Sequence, residues 1–206
     1  GKSSLFSMIS GDLDPDKGTV LLDGADVTRK RADVRAAHGV GRTFQIPRPF
    51  EGLTVFENVL VFATAAAGLR KDEANRLAAS SLERCGLGDL ANQPAGALGL
   101  LDRKRLEVAR ALGSDPQLLL LDEVAGGLTD PEVALLVDLV NSLKSDGLPI
   151  VWIESVVHAL LASVERRVCL AGGRLVEDGD PLDVLNDAAD RDLYLGHAVV
   201  LEQDLR

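Results

Sequence analysis

Four consecutive leucines, Leu118 to Leu121, run directly into two carboxylates, Asp122 and Glu123. A continuous apolar run of this length indicates a strand buried on both faces, as in a parallel sheet covered by helices. Carboxylates at the carboxyl end of such a strand would lie where open α/β sheets bind their ligands. A solvated acidic strand end is the simpler alternative for this pair taken alone. The feature predicts an α/β fold with a candidate site at one sheet edge.

The rest of the chain supplies the elements that such a fold needs. Further strand-length apolar runs occur at 19–22, 150–153, 167–170 and 174–176. Helix starts are predicted at the capping-box pattern Thr54–Glu57, at Asp130-Pro131 with Asp130 as the cap, and at Asp180-Pro181 for a short helix through Leu185. Residues 54–112 are almost entirely helix-like, which predicts a helical insertion in the α/β core.

Composition narrows the class of protein. With 206 residues, 46% of them hydrophobic, the chain can bury one sizeable core. A net charge of −10 argues against a general nucleic-acid or anionic-membrane surface. Cys85 and Cys169 stand in no metal-ligand spacing and are interpreted as buried small hydrophobes of a reduced compartment. The longest apolar stretch, Val59–Leu69, is too short to span a bilayer, so we expect a soluble, intracellular polypeptide.

Gly1-Lys2-Ser3-Ser4 matches the last four residues of the phosphate-binding loop G-x-x-x-x-G-K-[ST]. In that loop the Lys reaches the β/γ-phosphates, the first Ser ligates Mg²⁺, and the following helix points its N-terminus at the phosphates. Four residues recur by chance, and an ordinary helix start is the alternative for this tetrapeptide alone. Paired with such a loop, Asp122 would hold Mg²⁺ through water, and Glu123 would orient and deprotonate an attacking water.

Further motifs follow in a defined order. Gln45, in the stretch Gly41–Gln45, lies about 40 residues after Lys2, and the segment 98–110 immediately precedes Asp122-Glu123. In this order and spacing the chain resembles the ATP-binding subunits of ABC transporters. Four stretches look most like the branched-chain amino acid importer branch: 41–59, 101–112, 118–128 and 150–160. The resemblance covers residues 1–196, including Tyr194-Leu195-Gly196.

The resemblance implies an α/β P-loop NTPase fold: an ABC ATPase core with a mainly parallel sheet and an inserted helical subdomain. Residues 1–196 would form the ABC ATPase domain, with the helical subdomain at about 47–113, and 197–206 would form a C-terminal tail. Because the motif match starts at Gly1, the resemblance also predicts that the N-terminal strands and the front half of the phosphate loop are missing. Weak or absent ATP binding by this chain is the corresponding expectation.

The resemblance also implies a role for individual residues. The catalytic set would be Glu123, Gln45 and Ser155. The Mg²⁺ ligands would be Ser3, Gln45 and Asp122. Nucleotide contacts would come from the phosphate motif (Gly1, Lys2, Ser3, Ser4) and from the signature loop (Gly99, Leu101, Asp102).

Two positions depart from the family pattern. The signature loop, LSGGQ in most of the family, is here Leu98–Asp102, with Gly99 and Leu101 in place of the usual Ser and Gly. Ser155 stands where a switch histidine is expected, and serine cannot carry a positive charge near pH 7. Ser155 also suits the N-cap of a helix running to Val164. His158, one turn further on, is interpreted as a surface or packing histidine, and slow or impaired hydrolysis is expected.

The expected function is an ATP-binding and hydrolysing subunit that powers an ABC importer for branched-chain or other hydrophobic amino acids. ATP and Mg²⁺ would be its cofactors. Its partners would be a second ABC ATPase subunit, in a homo- or heterodimer, and transmembrane permease subunits. Its location would be cytoplasmic and peripheral, on the inner face of the plasma membrane.

The alternative is a hydrolysis-impaired nucleotide-binding or regulatory subunit, suggested by Gly99 and Ser155. An ABC ATPase of DNA repair fits poorly, and no nucleic-acid partner is expected. The basic run Arg103-Lys104-Arg105 is interpreted as a solvated helix face.

Overall fold

The computed structural model describes residues 1–181. Its chain divides into two compact units, one formed by residues 2–160 and one that groups Gly1 with the residues from Leu161 onward. Apart from Gly1, every predicted site residue lies in the first unit. Three predictions fall outside the described residues: the helix continuing to Leu185, the segment 194–196 and the tail 197–206.

The first unit contains a parallel sheet at its centre. A small antiparallel hairpin, β1 (Leu21–Leu22) and β2 (Ala25–Asp26), precedes it. The sheet has the order β3 (Val40–Arg42), β4 (Leu118–Asp122), β5 (Ile150–Ile153), and both strand pairs are parallel. The predicted α/β class with a parallel sheet is confirmed for this unit.

Helices occupy most of the remaining chain of this unit, and a helical region separates β3 from β4. The described helices are α1 (Lys2–Ser10), α2 (Ala32–Ala37), α3 (Val55–Ala65), α4 (Lys71–Arg84), α5 (Leu100–Leu112), α6 (Asp130–Ser145) and α7 (Val157–Leu161). Short 3₁₀ turns lie at Gly88–Leu90 and Ala95–Ala97.

The central strand β4 is buried on both faces, as its unbroken leucine run predicts. Leu119 and Leu121 belong to a large core with α3, α5 and α6. Leu120 faces the other way and packs with Phe6 of α1, and Val40 and Ile153 of the flanking strands join them. Alternate residues of one strand therefore join two different cores, which is why no polar residue interrupts it.

Helix caps explain two of the boundaries. Thr54 caps α3 as predicted: its hydroxyl accepts from the Glu57 N–H, and the Glu57 carboxylate accepts from the Thr54 N–H. The cap of α6 is Thr129 rather than Asp130, because the Glu132 carboxylate accepts hydrogen bonds from the N–H and the hydroxyl of Thr129. The boundary therefore moves by one residue, and the prediction of Asp130 as the cap was wrong.

Strand direction differs from the prediction outside the central sheet. The second unit contains an antiparallel hairpin, β6 (Arg167–Ala171) and β7 (Arg174–Gly179). A connection of two glycines can join only antiparallel neighbours, because a parallel crossover needs a dozen or more residues. The same reason applies to the run at 19–22, whose strand β1 pairs antiparallel with β2. Among residues 1–181, no helix is long and apolar enough to cross a membrane.

Candidate active site

The carboxyl ends of the three parallel strands bring the predicted catalytic residues together. Gln45 follows β3, Glu123 follows β4, and Ser155 follows β5. Gln45 Nε2 donates a hydrogen bond of 2.5 Å to Glu123 Oε2, although the two residues are far apart in sequence. The shared sheet edge therefore places an amide and a carboxylate in direct contact, as α/β topology predicts for a ligand site.

Asp122, the last residue of β4, has a side chain that is only 6% exposed. Its Oδ2 accepts from Arg42 Nη2 at 3.4 Å, while its Oδ1 is buried without a hydrogen-bond partner. The guanidinium of Arg42 also donates to Ser10 Oγ and Asp12 Oδ2, both at 2.8 Å, at the end of α1. Arg42 thus links the carboxylate to the helix that begins with the phosphate motif.

The buried, unpartnered carboxylate oxygen of Asp122 is available to a Mg²⁺ ion. Buried polar atoms are normally hydrogen-bonded, so the bare Asp122 Oδ1 needs an explanation. Mg²⁺ is usually held by one or two carboxylates, with waters and substrate phosphates completing the octahedron. Among residues 1–181, no group of three or more His, Cys, Asp or Glu side chains forms a closed metal cage. The donor set therefore fits a magnesium ion shared with a phosphate ligand.

Glu123 has an unusual backbone conformation. Its φ of +46° lies in the left-handed region, which is rare for residues other than glycine. Its N–H donates to Ile153 O at 2.8 Å, and its own carbonyl accepts from Lys104 Nζ at 3.2 Å. Non-glycine residues held in this region cluster at functional sites, because the surroundings must fix them there.

Lys104 of α5 lies inside the protein rather than on a solvated helix face. Its relative exposure is 3%, and its ammonium donates to Gln45 O at 2.8 Å as well as to Glu123 O. Burial lowers its pKa, while the negative charges of Glu154, Glu123 and Glu107 act in the opposite direction. The prediction of a solvated basic run was wrong for this residue, because the side chain serves backbone carbonyls that have no other strand partner.

Glu154, rather than Ser155, caps the chain after β5. It is 2% exposed, and its Oε1 accepts from the N–H groups of Ser155 and Val156 at 2.9 and 3.2 Å. Its Oε2 accepts from Ala125 N–H at 2.9 Å. Helix α7 starts at Val157 and ends at Leu161, so the expected helix from Ser155 to Val164 is shorter at both ends. His158 is exposed on α7, with Nε2 4.0 Å from Asp130 Oδ1.

The loop that follows Gln45, residues 45–50, is held by side chains of two helices. Glu107 Oε1 accepts from Arg48 N–H at 3.0 Å, and Arg110 Nη1 donates to Arg48 O at 3.0 Å. Asn58 of α3 accepts from Phe50 N–H at 2.8 Å and donates to Phe50 O at 3.1 Å. The loop has no strand partner of its own, so helix side chains satisfy its backbone.

The phosphate motif enters α1. Lys2, Ser3 and Ser4 form the first turn of that helix. Such a turn attracts anions, because its N–H groups and the helix dipole both favour negative charge. Gly1 belongs to the other unit.

The signature positions lie at the N-terminus of α5. Gly99 is the N-cap and supplies no side-chain cap, while Leu101 and Asp102 lie in the first turn. A Cβ built on Gly99 would meet no atom within 4 Å, so the local packing does not require glycine there. A Cβ on Gly127 would lie 3.4 Å from Leu100 Cδ2, which places the start of α5 beside the segment that follows Glu123.

Sequence reasoning missed Arg42, Lys104 and Glu154. One signal was available for Lys104: Lys104, Glu107 and Arg110 recur every third residue of α5 and therefore share one helix face. The intervening residues Leu106, Val108 and Ala109 are apolar, so this charged face lies directly beside buried positions of the helix. Arg42 and Glu154 carry no comparable periodic signal.

Comparison with known proteins gives a consistent result. A model of the ABC transporter family matches residues 1–126. The chain is 29% identical over 196 residues to the lipopolysaccharide export system ATP-binding protein LptB of Haemophilus influenzae, covering 95% of this chain and 81% of LptB. It is 32% identical over 213 residues to the high-affinity branched-chain amino acid transport ATP-binding protein BraF of Pseudomonas aeruginosa, covering 96% and 84%.

Solved structures agree with this similarity. The ADP conformation of MJ1267, an ATP-binding cassette of an ABC transporter, superposes with a TM-score of 0.86 at 27% identity, covering 95% of this chain and 84% of that one. A nucleotide-free ATP-binding cassette from an ABC transporter superposes with a TM-score of 0.84 over the same shares.

Proposed function

Since the chain belongs to the ABC transporter family of ATP-binding domains, we propose that it is the ATP-hydrolysing subunit of an importer for branched-chain or other hydrophobic amino acids. The observation that supports hydrolysis is the Gln45–Glu123 contact beside Asp122, whose Oδ1 is buried and unpartnered. The importer branch is supported by the similarity to BraF and by the stretches 41–59 and 118–128. The similarity to LptB, an export-system protein, is of comparable size, so the solute is part of the proposal.

Each group has a defined task in the proposed reaction. Lys2 and the first turn of α1 would bind the phosphates, and Ser3, Gln45 and Asp122 would hold Mg²⁺. When bound, the metal neutralises charge on the phosphates. Glu123 would accept a hydrogen bond from the attacking water and take its proton as the water oxygen bonds to the γ-phosphorus and the bond from that phosphorus to ADP breaks. The amide of Gln45 fixes the direction of the Glu123 carboxylate.

The proposed partners are a second ATP-binding subunit and transmembrane subunits at the inner face of the membrane. Apolar side chains on and beside the loop 45–50 support a protein partner: Phe44 is 52% exposed, Ile46 65% and Phe50 45%. Large apolar side chains exposed together are typical of interaction surfaces. Phe44 and Ile46 flank Gln45 in the sequence, so an occupant of this surface would also act on the Gln45–Glu123 pair.

A hydrolysis-impaired regulatory subunit is the second candidate. Its support is Ser155, an exposed serine in the position of the family's switch histidine, together with Gly99, which lacks a capping side chain. Because a Cβ at Gly99 meets no neighbour, G99S introduces a hydroxyl without a packing penalty. The two candidates therefore predict different behaviour of the double variant G99S/S155H.

Phosphate release and ATP binding separate the two candidates. Both are measured with Mg²⁺ in two backgrounds: the chain itself and a version extended so that a full phosphate loop precedes Lys2. In each background the wild type is compared with E123Q and with G99S/S155H. If the protein is the hydrolytic subunit, the chain or its extended version releases phosphate. E123Q then binds ATP, but its kcat is at least about 100-fold lower. Binding without release, combined with a large gain in G99S/S155H, identifies the regulatory subunit.

The solute is tested in membranes. The protein is purified with the transmembrane subunits that accompany it, and these are reconstituted in vesicles. ATP-dependent uptake of leucine, absent in E123Q, supports the importer. Release of lipopolysaccharide without amino acid uptake would assign the chain to export instead.

A further inference from the structure

Two buried charged side chains contact the backbone of residues 123–125. Lys104 contacts Glu123, and Glu154 contacts Ala125. They are 3% and 2% exposed, and the proposed reaction assigns neither of them a role. We name residues 123–125 the left-handed turn, after the φ of +46° at Glu123. Lys104 Nζ donates to the carbonyl of Glu123 at the start of this turn, and Glu154 Oε2 accepts from Ala125 N–H at its end.

The left-handed turn needs such support. A non-glycine residue at positive φ has less favourable backbone sterics and persists only where its surroundings determine it. Here both backbone polar groups of Glu123 are engaged, since its N–H donates to Ile153 O and its carbonyl accepts from Lys104. This backbone conformation sets the direction of the Cα–Cβ bond of Glu123, from which the carboxylate extends.

Lys104 holds both members of the Gln45–Glu123 pair. The same ammonium donates to Gln45 O at 2.8 Å and to Glu123 O at 3.2 Å. The side chains of these two residues meet at 2.5 Å. One buried cation on α5 therefore sets the separation of the two backbones from which the amide and the carboxylate extend.

We propose that Lys104 and Glu154 are positioning residues, which hold the left-handed turn and so aim the Glu123 carboxylate at the attacking water. The statement about hydrolysis rests on the proposed function. A buried ion is a costly way to obtain stability alone, because well-packed apolar side chains of similar volume often serve as well. Two ions on one three-residue turn are therefore explained by the conformation that they impose.

The first test measures amide hydrogen exchange and needs no nucleotide. K104M keeps most of the length of the side chain and removes the ammonium donor. Because the turn then loses this support, the amide exchange rate at residues 123–126 rises at least about tenfold, while the rate at the amides of α3 stays unchanged. E154Q keeps one oxygen acceptor, which continues to accept from the Ser155 N–H. Amide exchange therefore rises at Ala125 and not at Ser155. R76M removes a charge from an exposed site on α4 and changes neither segment.

The second test measures ATP hydrolysis by the same variants, made in whichever of the two proteins hydrolyses ATP: the chain or its extended version. For a positioning residue, K104M lowers kcat at least about tenfold while KM for ATP changes less than about threefold. An unchanged kcat overturns the proposal, as does exchange that rises evenly over the whole chain, because the role would then be merely structural. A wild type without hydrolysis in any background refutes the proposed function, while the exchange data still decide whether the two charges hold the turn.

Discussion

Replacing Arg35 with methionine is expected to destabilise the unit formed by residues 2–160 by about 3–5 kcal/mol. Arg35 is fully buried, and it has no carboxylate among the hydrogen-bond partners that the structure gives it. Its guanidinium donates to four backbone carbonyls, those of Met8, Ile9, Thr28 and Lys30, at 2.5–2.9 Å. Two of these carbonyls end α1, whose first turn carries the phosphate motif.

The magnitude follows from these bonds. A hydrogen bond to a charged group contributes about 1.5–3 kcal/mol, so four of them contribute about 6–12 kcal/mol in total. Keeping a guanidinium in the interior costs several kcal/mol, which offsets half or somewhat more of that gain. Methionine fills part of the space but leaves the carbonyls without donors, and about 3–5 kcal/mol remains as the net loss.

The assay is urea unfolding followed by circular dichroism, with two comparison variants. R35K restores less than half of the loss, because one ammonium cannot reach four carbonyls that a planar fork spans. R29M removes an exposed arginine from the same region and changes the unfolding free energy by less than about 0.5 kcal/mol. If R35M is unfolded in buffer, its transition is measured with added trimethylamine N-oxide. An R35M protein within about 1 kcal/mol of wild type would refute the reasoning.

Two further predictions concern pKa values. Burial raises the pKa of Glu107, although the positive charge of Arg110 acts in the opposite direction. The protonated carboxyl is therefore favoured in the folded state, so the free energy of unfolding of wild type relative to E107Q is greatest below pH 4.5. This advantage is lost as the pH rises through the folded-state pKa. Unfolding free energies of both proteins between pH 4 and 7 check this, and a difference that grows with pH contradicts it. Burial raises the pKa of Cys85 to about 12, so about one thiol in 10,000 is ionised at pH 8 and alkylation should require unfolding. Labelling of native Cys85 at the rate of a peptide thiol would contradict this.

The sequence predicted the central strand because a simple pattern encodes it, whereas the roles proposed for Gln45 and Glu123 rest on the family resemblance. Leu118–Leu121 has no polar interruption, since alternate residues join two different cores. Parallel strands end at one edge of a sheet, which is why Gln45 and Glu123, each following a parallel strand, meet in the structure. The capping box at Thr54 requires only two residues three apart, and the structure contains it.

The direction of the strands outside the central sheet and the choice of the capping residue after β5 do not follow from such simple sequence patterns. Apolar character alone does not distinguish the antiparallel hairpin at Arg167–Gly179 from a parallel strand, whereas the two-residue connection does. At β5, both Glu154 and Ser155 can cap a chain end, and the longer carboxylate reaches Ala125 as well. A choice between two capable neighbours depends on tertiary distances, which no local pattern contains.

The buried charges of α5 illustrate a more general relation between irregular backbone and polar side chains. The loop 45–50 lies against α5 without a strand partner, so its carbonyls and N–H groups must find donors and acceptors on neighbouring elements. Charged residues spaced three apart on α5 meet that need, and their burial is stabilised by the backbone groups that they satisfy. A charged stripe on a helix that packs against an irregular loop therefore supplies the donors and acceptors that the loop's backbone lacks. For Lys104 this relation corrects the solvated-face interpretation and connects α5 to the Gln45–Glu123 pair.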